Sequence, residues 1–355
     1  LDFDSILFIA RGVYNGSRAW GQRGTNDRQG QHFQTQYFGF NAIPGGGLYV
    51  VRDFKTRPVL VDLLRDAVVQ AGPRADSPDR LVGRKLTGGA VLSPDLSYDG
   101  RTVVFSWTGN TRPNCYEWTR ETTWSLFRIR ADGTGLVQLT DGPWDDFDGC
   151  FLPAPPGGGD GRIAFISQRR GGYIRCFGGL KVPQHSLHSM TADGGDILPL
   201  SYFETGEWQP SVDNHGMIVY TRWDYVDREN CLGSNFWICM PDGRNPRAPH
   251  GNYPYPWHTW PDNAGRDGRM GRPYTEMNIR AVPLSHKYVA TAAPHHGEAF
   301  GSLVLLDLSG PDDHFMSQVR RITPYVPFPE SEQPARLQYP YGTAWPLSED
   351  FYLCN

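Results

Sequence analysis

The densest polar run in the chain is TRWDYVDR, which puts Arg222, Asp224, Tyr225, Asp227 and Arg228 at the exit of an expected strand. Guanidinium groups read planar anions through paired hydrogen bonds, and loops leaving a rigid sheet are where polar ligands are gripped. The pattern points to a polar or carboxylate-bearing ligand. The plainer use of the same residues is an Arg–Asp network bracing neighbouring sheets. A second run, APHHGEAFG, carries His295, His296 and Glu298. Imidazole with carboxylate suits a divalent metal: zinc, manganese, iron or calcium. Adjacent residues on an extended segment face opposite ways, so one of the two histidines would share a site with Glu298. His258 in PWHTWP and His250 in PHGNYP would complete three ligands. Loop hydrogen bonding explains the same residues without a metal. His32 lies in GQHFQTQYFGFN, inside a long insertion at Gly12–Gly47. Such insertions are often functional or disordered. The spacing of Phe33, Tyr37, Phe38 and Phe40 predicts that it packs down as a lid, with His32 facing either a ligand or the solvent.

The cysteines are Cys115, Cys150, Cys176, Cys231, Cys239 and Cys354. None forms C-x-x-C, so zinc ribbons, thioredoxin-type redox chemistry and covalent c-type haem attachment have no site in this stretch. Cys150 and Cys176 flank one expected hairpin, with His185 and His188 close behind. A disulfide, a pair of buried thiols and a Cys/His metal site all fit that spacing. Cys231 and Cys239 flank a loop that they could close. An even count with a turn-rich surface favours a periplasmic or extracellular compartment. Tyr253, Tyr255, Trp257 and Trp260, spaced by prolines, could stack on sugar rings or on a protein partner. No G-x-S-x-G elbow occurs, and Gly45–Gly47 precedes a strand where a phosphate loop would precede a helix.

All of these residues need elements to hold them. Gly (41) and Pro (29) together make about one residue in five, against about one in eight in ordinary usage. That level reads as disorder only when aromatics are scarce, and here 13% of the chain is aromatic. The composition is that of a folded, turn-rich all-β protein. Net charge is −4 and no Lys/Arg stripe runs along the sequence, which argues against nucleic acid as partner. No apolar run approaches the roughly 20 residues that span a bilayer, so no transmembrane segment is expected. The chain opens at Leu1 without a signal-like segment and closes just after the apolar Phe351–Cys354, which reads as a fragment of a longer protein.

Internal repeats set the architecture. LSPDLSYDGRTVVFSW with WSLFRIRADGTGLVQLT, FLPAPPGGGDGRIAFISQRR with LHSMTADGGDILPLS, and QPSVDNHGMIVYTRW with NFWICMPDGRNPRAP share one grammar. A weaker copy runs through AVPLSHKYVATAAP, GSLVLLDLSG and VRRITP. In each, a short strand ends in a Pro-containing turn. Then Asp99-Gly100, Asp160-Gly161 or His215-Gly216 reverses the chain, and a β-branched run follows. A second hairpin turns at Asp132-Gly133, Asp193-Gly194 or Asp242-Gly243. Such dipeptides tolerate the positive φ of tight hairpins. The result is four antiparallel strands per unit at a period of roughly 60 residues, none able to bury both faces alone. This predicts an all-β β-propeller of six blades, with seven as the alternative. The blades fall at about 1–66, 88–141, 148–202, 207–250, 276–325 and an incomplete 339–355, in one domain over 1–355. The stretch Ala67–Arg84 is expected to be a linker or short helical turn, and Trp107, Trp124, Trp208, Trp223 and Trp237 to sit in the inter-blade core.

The Asp-Gly grammar resembles TolB-like, WD40-like propeller repeats. The strings LHSMTADGGDI, EWQPSVDNHGMIVYTRWDYVDREN, PDGRNPRAPHGNYP, HKYVATAAPHHGEAFGSLVLLD and YGTAWPLSEDFYLC resemble proteins related to the hydrazine synthase alpha subunit. That resemblance spans most of the chain, with TRWDYVDR and ATAAPHHG its most specific parts. It implies a six-bladed propeller in a large extracytoplasmic protein, followed in the namesake by c-type haem domains. Without C-x-x-C-H, no haem chemistry transfers to any residue here. Three readings follow. One is a ligand- or partner-binding propeller in a larger, haem-associated redox protein, with cytochrome-type domains or subunits as neighbours. The alternative is a metal-dependent polysaccharide lyase or hydrolase, with His296, Glu298 and Arg222 at a channel mouth. The third is a purely structural scaffold.

Overall fold

The computed structural model describes residues 2–12, 38–73, 75–112, 117–155, 161–174, 181–224, 233–251, 273–294, 299–313, 316–329, 332 and 341–355. The described chain is all-β. Its strands form antiparallel sheets, and among the described residues the only helical turn is a 3-10 turn at Gly39–Asn41. No helix there is long and apolar enough to cross a membrane. The chain divides into two compact units. One holds the described residues through 171 and those of 187–199, and the other holds 172–186 and 200–355.

The first unit contains three sheets. Strands β1 (Ile6–Arg11), β2 (Gly46–Arg52) and β3 (Val59–Asp62) pair in that order. Strands β4 (Ala90–Leu96), β5 (Thr102–Thr108), β6 (Ser125–Arg130) and β7 (Val137–Gln138) form the second sheet. Strands β8 (Asp146–Phe151), β9 (Arg162–Ser167), β10 (Ser186–Thr191) and β11 (Leu198–Pro199) form the third. The period-2 alternation of β5 and β6 explains why the sheets must stack. Val103, Phe105, Phe127 and Ile129 face one core with Leu48, Val50 and Val91, while Val104 and Leu126 face another with Ile163, Phe165 and Met190. Both faces of the middle sheet are therefore buried. The stretch Ala67–Arg84 is neither linker nor helical turn. It doubles back on itself, with Val69 N donating to Arg84 O at 2.9 Å, and its Ala71 pairs in parallel with Val137 beside β7.

In the second unit, β12 (Gly206–Val212), β13 (Ile218–Asp224) and β14 (Gly233–Cys239) are joined by a single parallel bridge, Ser234 to Thr275, to the next four strands. These are β15 (Thr275–Ala281), β16 (Lys287–Ala293), β17 (Ser302–Asp307) and β18 (Val319–Arg321). Arg247 bridges Ile238 outside β14, in the place of a fourth strand. The short pair β19 (Trp345–Pro346) and β20 (Tyr352–Leu353) follows. Val219, Phe236, Ile279, Tyr288, Val304 and Leu306 make the core between β12–β14 and β15–β18. Of the five tryptophans expected in the core, Trp124, Trp208 and Trp223 are fully buried, and Trp107 and Trp237 are half-buried.

β8 and β15 end just ahead of Pro153 and Pro283, as expected, but β4 and β12 do not end at their prolines. Pro94 and Pro210 lie inside β4 and β12, at a bulge. The register shifts by one residue between Leu92 and Asp95, Phe147 and Cys150, Trp208 and Ser211, and Met277 and Arg280. Each bulge holds a non-glycine residue at positive φ: Ser93 (46°), Asp148 (53°), Gln209 (54°) and Asn278 (55°). These residues then bond across neighbouring sheets within each unit. Ser93 Oγ donates to Asp148 Oδ1, and Asn278 N donates to Gln209 Oε1 at 2.7 Å. Proline is tolerated here because a bulge frees its position from the ladder. The second hairpin turns follow the expected chemistry. Asp193 Oδ1 accepts from Thr191 Oγ at 2.5 Å and Gly195 N at 3.3 Å, and Gly194 takes φ 89° where a Cβ would lie 2.5 Å from Leu139 O.

Candidate functional site

Arg222 and Asp224 leave β13 on one face of the sheet, because they are two residues apart on an extended strand. Arg222 Nε donates to Asp224 Oδ1 at 3.2 Å. The guanidinium is stacked between two rings, 3.3 Å from the Phe203 centroid and 3.9 Å from that of Trp237. Two rings packed this closely on the guanidinium hold it in place. Glu207 pairs opposite Arg222 in the ladder and is fully buried, with Ser201 Oγ donating to its Oε1 at 2.8 Å. Burial, and then the Glu207 charge, push the Tyr220 phenol well above its ordinary value. The cluster is thus a rigid, partly buried Arg–carboxylate patch. Tyr225, Asp227 and Arg228 lie outside the described residues.

The expected metal ligands His295, His296, Glu298 and His258 also lie outside the described residues, as does His32. Among the described residues, no group of three or more His, Cys, Asp or Glu side chains is placed to hold a metal. His250 is described, and its two ring nitrogens are committed to protein acceptors. Nε2 lies 2.8 Å from Glu276 Oε1 and Nδ1 lies 2.6 Å from Gln318 Oε1. Gln318 Nε2 donates to Gly310 O at 2.9 Å, which fixes the amide so that its oxygen faces the ring. Both ring nitrogens therefore donate, and His250 is an imidazolium. Burial works against the charge, but the Glu276 carboxylate, the hydrogen bonds to Glu276 and Gln318, and Asp312 outweigh it and raise the pKa to about 9. With both nitrogens occupied, His250 cannot serve as the third metal ligand that its spacing suggested.

His185 behaves in the opposite way. It is fully buried, edge-on to Trp208 at 4.6 Å, and burial pushes its pKa down to about 3. His188 packs on the Phe165 ring at 5.8 Å. Cys239 is buried, and desolvation followed by the Glu207 and Asp242 charges pushes its thiol up to about 12. Its expected partner Cys231 and the expected partner of Cys150, Cys176, lie outside the described residues.

Asp145 carries no signal in the sequence that marks it out. It sits just before β8, fully buried, with Oδ1 accepting from Trp124 N at 2.8 Å and from Gly39 N at 3.0 Å. Beside it, Asp146 accepts from Ser167 Oγ at 2.5 Å and pairs with Arg169 at 2.5 Å. In WDDFDG, nothing local separates the buried acid from a solvated one. Of the aromatic residues expected to pack the insertion down, Phe38 and Phe40 are fully buried, while Phe33 and Tyr37 lie outside the described residues.

These antiparallel four-stranded repeats, stacked face to face through two-sided cores, are of the propeller-like class. No family model matches the chain, and no curated protein matches it in sequence. Among solved structures it is similar to Kuenenia stuttgartiensis hydrazine synthase, with a TM-score of 0.60 and 15% identity. That match covers 99% of this chain and 41% of the hydrazine synthase chain. A putative TolB from Agrobacterium tumefaciens also matches, with a TM-score of 0.36 and 17% identity over 57% of this chain and 56% of its own. The fold is hydrazine synthase-like, and the chain spans well under half of the longer protein's length.

Proposed function

We propose that this chain is an extracytoplasmic β-propeller module of six repeats, the last incomplete, that binds a ligand or partner within a larger, haem-associated redox protein. The observation that carries the reading is the match of 99% of this chain to 41% of a hydrazine synthase chain. A module of that kind holds other domains or subunits in place and needs no chemistry of its own. The Arg222–Asp224 patch is the proposed contact. A guanidinium clamped between Phe203 and Trp237 meets an incoming carboxylate with little entropy left to lose. Its position at the exit of β13 is where a rigid sheet holds a contact residue still.

The test is purification from the native source without chelator, followed by absorbance, elemental analysis and mass. Haem absorbance in stoichiometric proportion, on the same polypeptide or on a copurifying cytochrome-type subunit, is the expected result. Binding of that partner should then weaken in Arg222→Ala. A homogeneous chain carrying neither haem nor partner overturns the reading. A stoichiometric divalent metal without haem overturns it in favour of metal-dependent chemistry.

A further inference from the structure

The turn Phe38–Asn41 is held in the first unit as a bound peptide would be. Gly39 donates its N–H to Asp145 Oδ1 at 3.0 Å, and its carbonyl accepts from Asn110 Nδ2 at 2.9 Å. A Cβ at position 39 would press on Thr122 O and lie 2.7 Å from Asp145 Oδ1 and 2.8 Å from Thr123 Cα, so the slot admits only glycine. The flanking rings complete the grip. Phe38 and Phe40 are both fully buried, Phe38 edge-on to Phe147 at 6.4 Å and Phe40 4.8 Å from the Trp118 ring.

Asp145 forms the floor of this slot, and its two oxygens are unequal. Oδ1 takes both N–H groups, while Oδ2 is buried with no hydrogen-bond partner among the described residues. The backbone N–H of Asp145 is taken by Gln168 Oε1 at 3.0 Å. Charged groups on the surrounding elements are Asp146, Arg169, Arg112, Glu117, Arg120 and Glu121. The cations among them are engaged elsewhere: Arg169 with Asp146, Arg112 with Glu117 and Arg120 with Asp79. Among the described residues, only the like-signed Asp146 acts on the Asp145 charge. An ionised carboxylate enclosed this way, with one oxygen bare and no counter-ion, is costly. A neutral acid keeps both Oδ1 contacts and sheds that cost.

We propose that Asp145 and Asn110 form a proton-linked docking slot for the Phe38–Asn41 turn, which seats on the neutral acid and is weakened when the acid ionises. The proposal is independent of the partner-binding reading. Burial raises the Asp145 pKa to about 8 against the pull of the Trp124 and Gly39 N–H groups, with Asp146 adding to the rise. With the turn displaced, the carboxyl meets water and returns toward the ordinary value of about 3.9. Docking therefore takes up a proton. It is fully favourable below the ordinary carboxylate value, weakens about tenfold per pH unit up to the docked pKa, and levels off above it.

Hydrogen exchange of the Gly39 amide, corrected for intrinsic rates, reads this directly on the wild-type chain. Protection should fall about tenfold per pH unit between about pH 5 and 8. In Asp145→Asn, which keeps the Oδ1 contacts without a charge, it should stay at the acidic wild-type level throughout. The reciprocal arm is infrared titration of the Asp145 carboxylic-acid band, assigned by its loss in Asp145→Asn. In Gly39→Ala the added Cβ displaces the turn, and the midpoint should drop by several pH units. A flat wild-type protection profile overturns the proposal, as does an unmoved midpoint in Gly39→Ala. Should neither variant fold, the wild-type exchange profile decides by itself.

Discussion

Titrating His250 should destabilise the second unit as pH rises. The ring is charged in the folded protein with a pKa near 9, against 6.5 for the unfolded chain. A raised folded value means that the stabilisation is fully present below about pH 6.5. It is lost between there and about pH 9, and nothing further is lost above. At about 1.4 kcal/mol per unit, the difference amounts to about 3 kcal/mol, a large part of a domain's ordinary 5–15 kcal/mol. The structural source is specific: one imidazolium ties the end of the segment after β14 to Glu276 on β15 and to Gln318 ahead of β18. Urea unfolding followed by tryptophan fluorescence from pH 6 to 10 measures it. The midpoint should fall between about pH 6.5 and 9 and then flatten. His250→Gln, which cannot titrate, should be less stable at pH 6 and should lack the decline. A wild-type midpoint that is flat from pH 6.5 to 9, or a decline that persists in His250→Gln, would refute the assignment of a buried imidazolium.

Three further outcomes are expected. Arg222→Ala should lower stability by about 2 kcal/mol through loss of two desolvated cation–π stacks, with Arg222→Lys in between, measured by denaturant unfolding. Gly194→Ala should cost about 1–3 kcal/mol by the same measurement, because φ is 89° and the new Cβ would lie 2.5 Å from Leu139 O. Cys239, buried and with its thiol pushed up to about 12, should resist a thiol reagent at pH 8 until the chain unfolds, whereas exposed Cys354 should react in the native state.

What could be read from the chain depended on how local its cause was. The strands were legible because two-sided burial leaves short β-branched runs between Asp-Gly turns, as in Val103-Val104-Phe105 and Ile163-Ala164-Phe165. The bulges were not. Proline normally signals a turn, and Ser93, Asp148, Gln209 and Asn278 share no side-chain type that betrays a common backbone. His250 looked like a metal ligand because its partners, Glu276 and Gln318, lie 26 and 68 residues away. Asp145 was invisible for the same reason, since its burial depends on Gly39, 106 residues earlier. The density of TRWDYVDR marks Arg222 and Asp224, but the aromatic clamp arrives from Phe203 and Trp237 on other segments.

The shared bulge also bears on strand slippage. A slip of one residue would send the side chains of each face into the core on the other side of the sheet. A slip of two leaves each side chain on its own face, so burial alone does not prevent it. A strand carrying one supernumerary residue has no such freedom. Moving β4 by two against β5 would carry the left-handed conformation of Ser93 to another position and break its bond to Asp148. The same holds for β12 and β15, whose bulges at Gln209 and Asn278 are bonded to each other. Each first strand is thereby keyed to one alignment with its own partner, and each key is engaged with that of a neighbouring sheet. In a chain of look-alike repeats, where near-equivalent pairings compete during folding, that keying selects one alignment that burial alone would leave ambiguous.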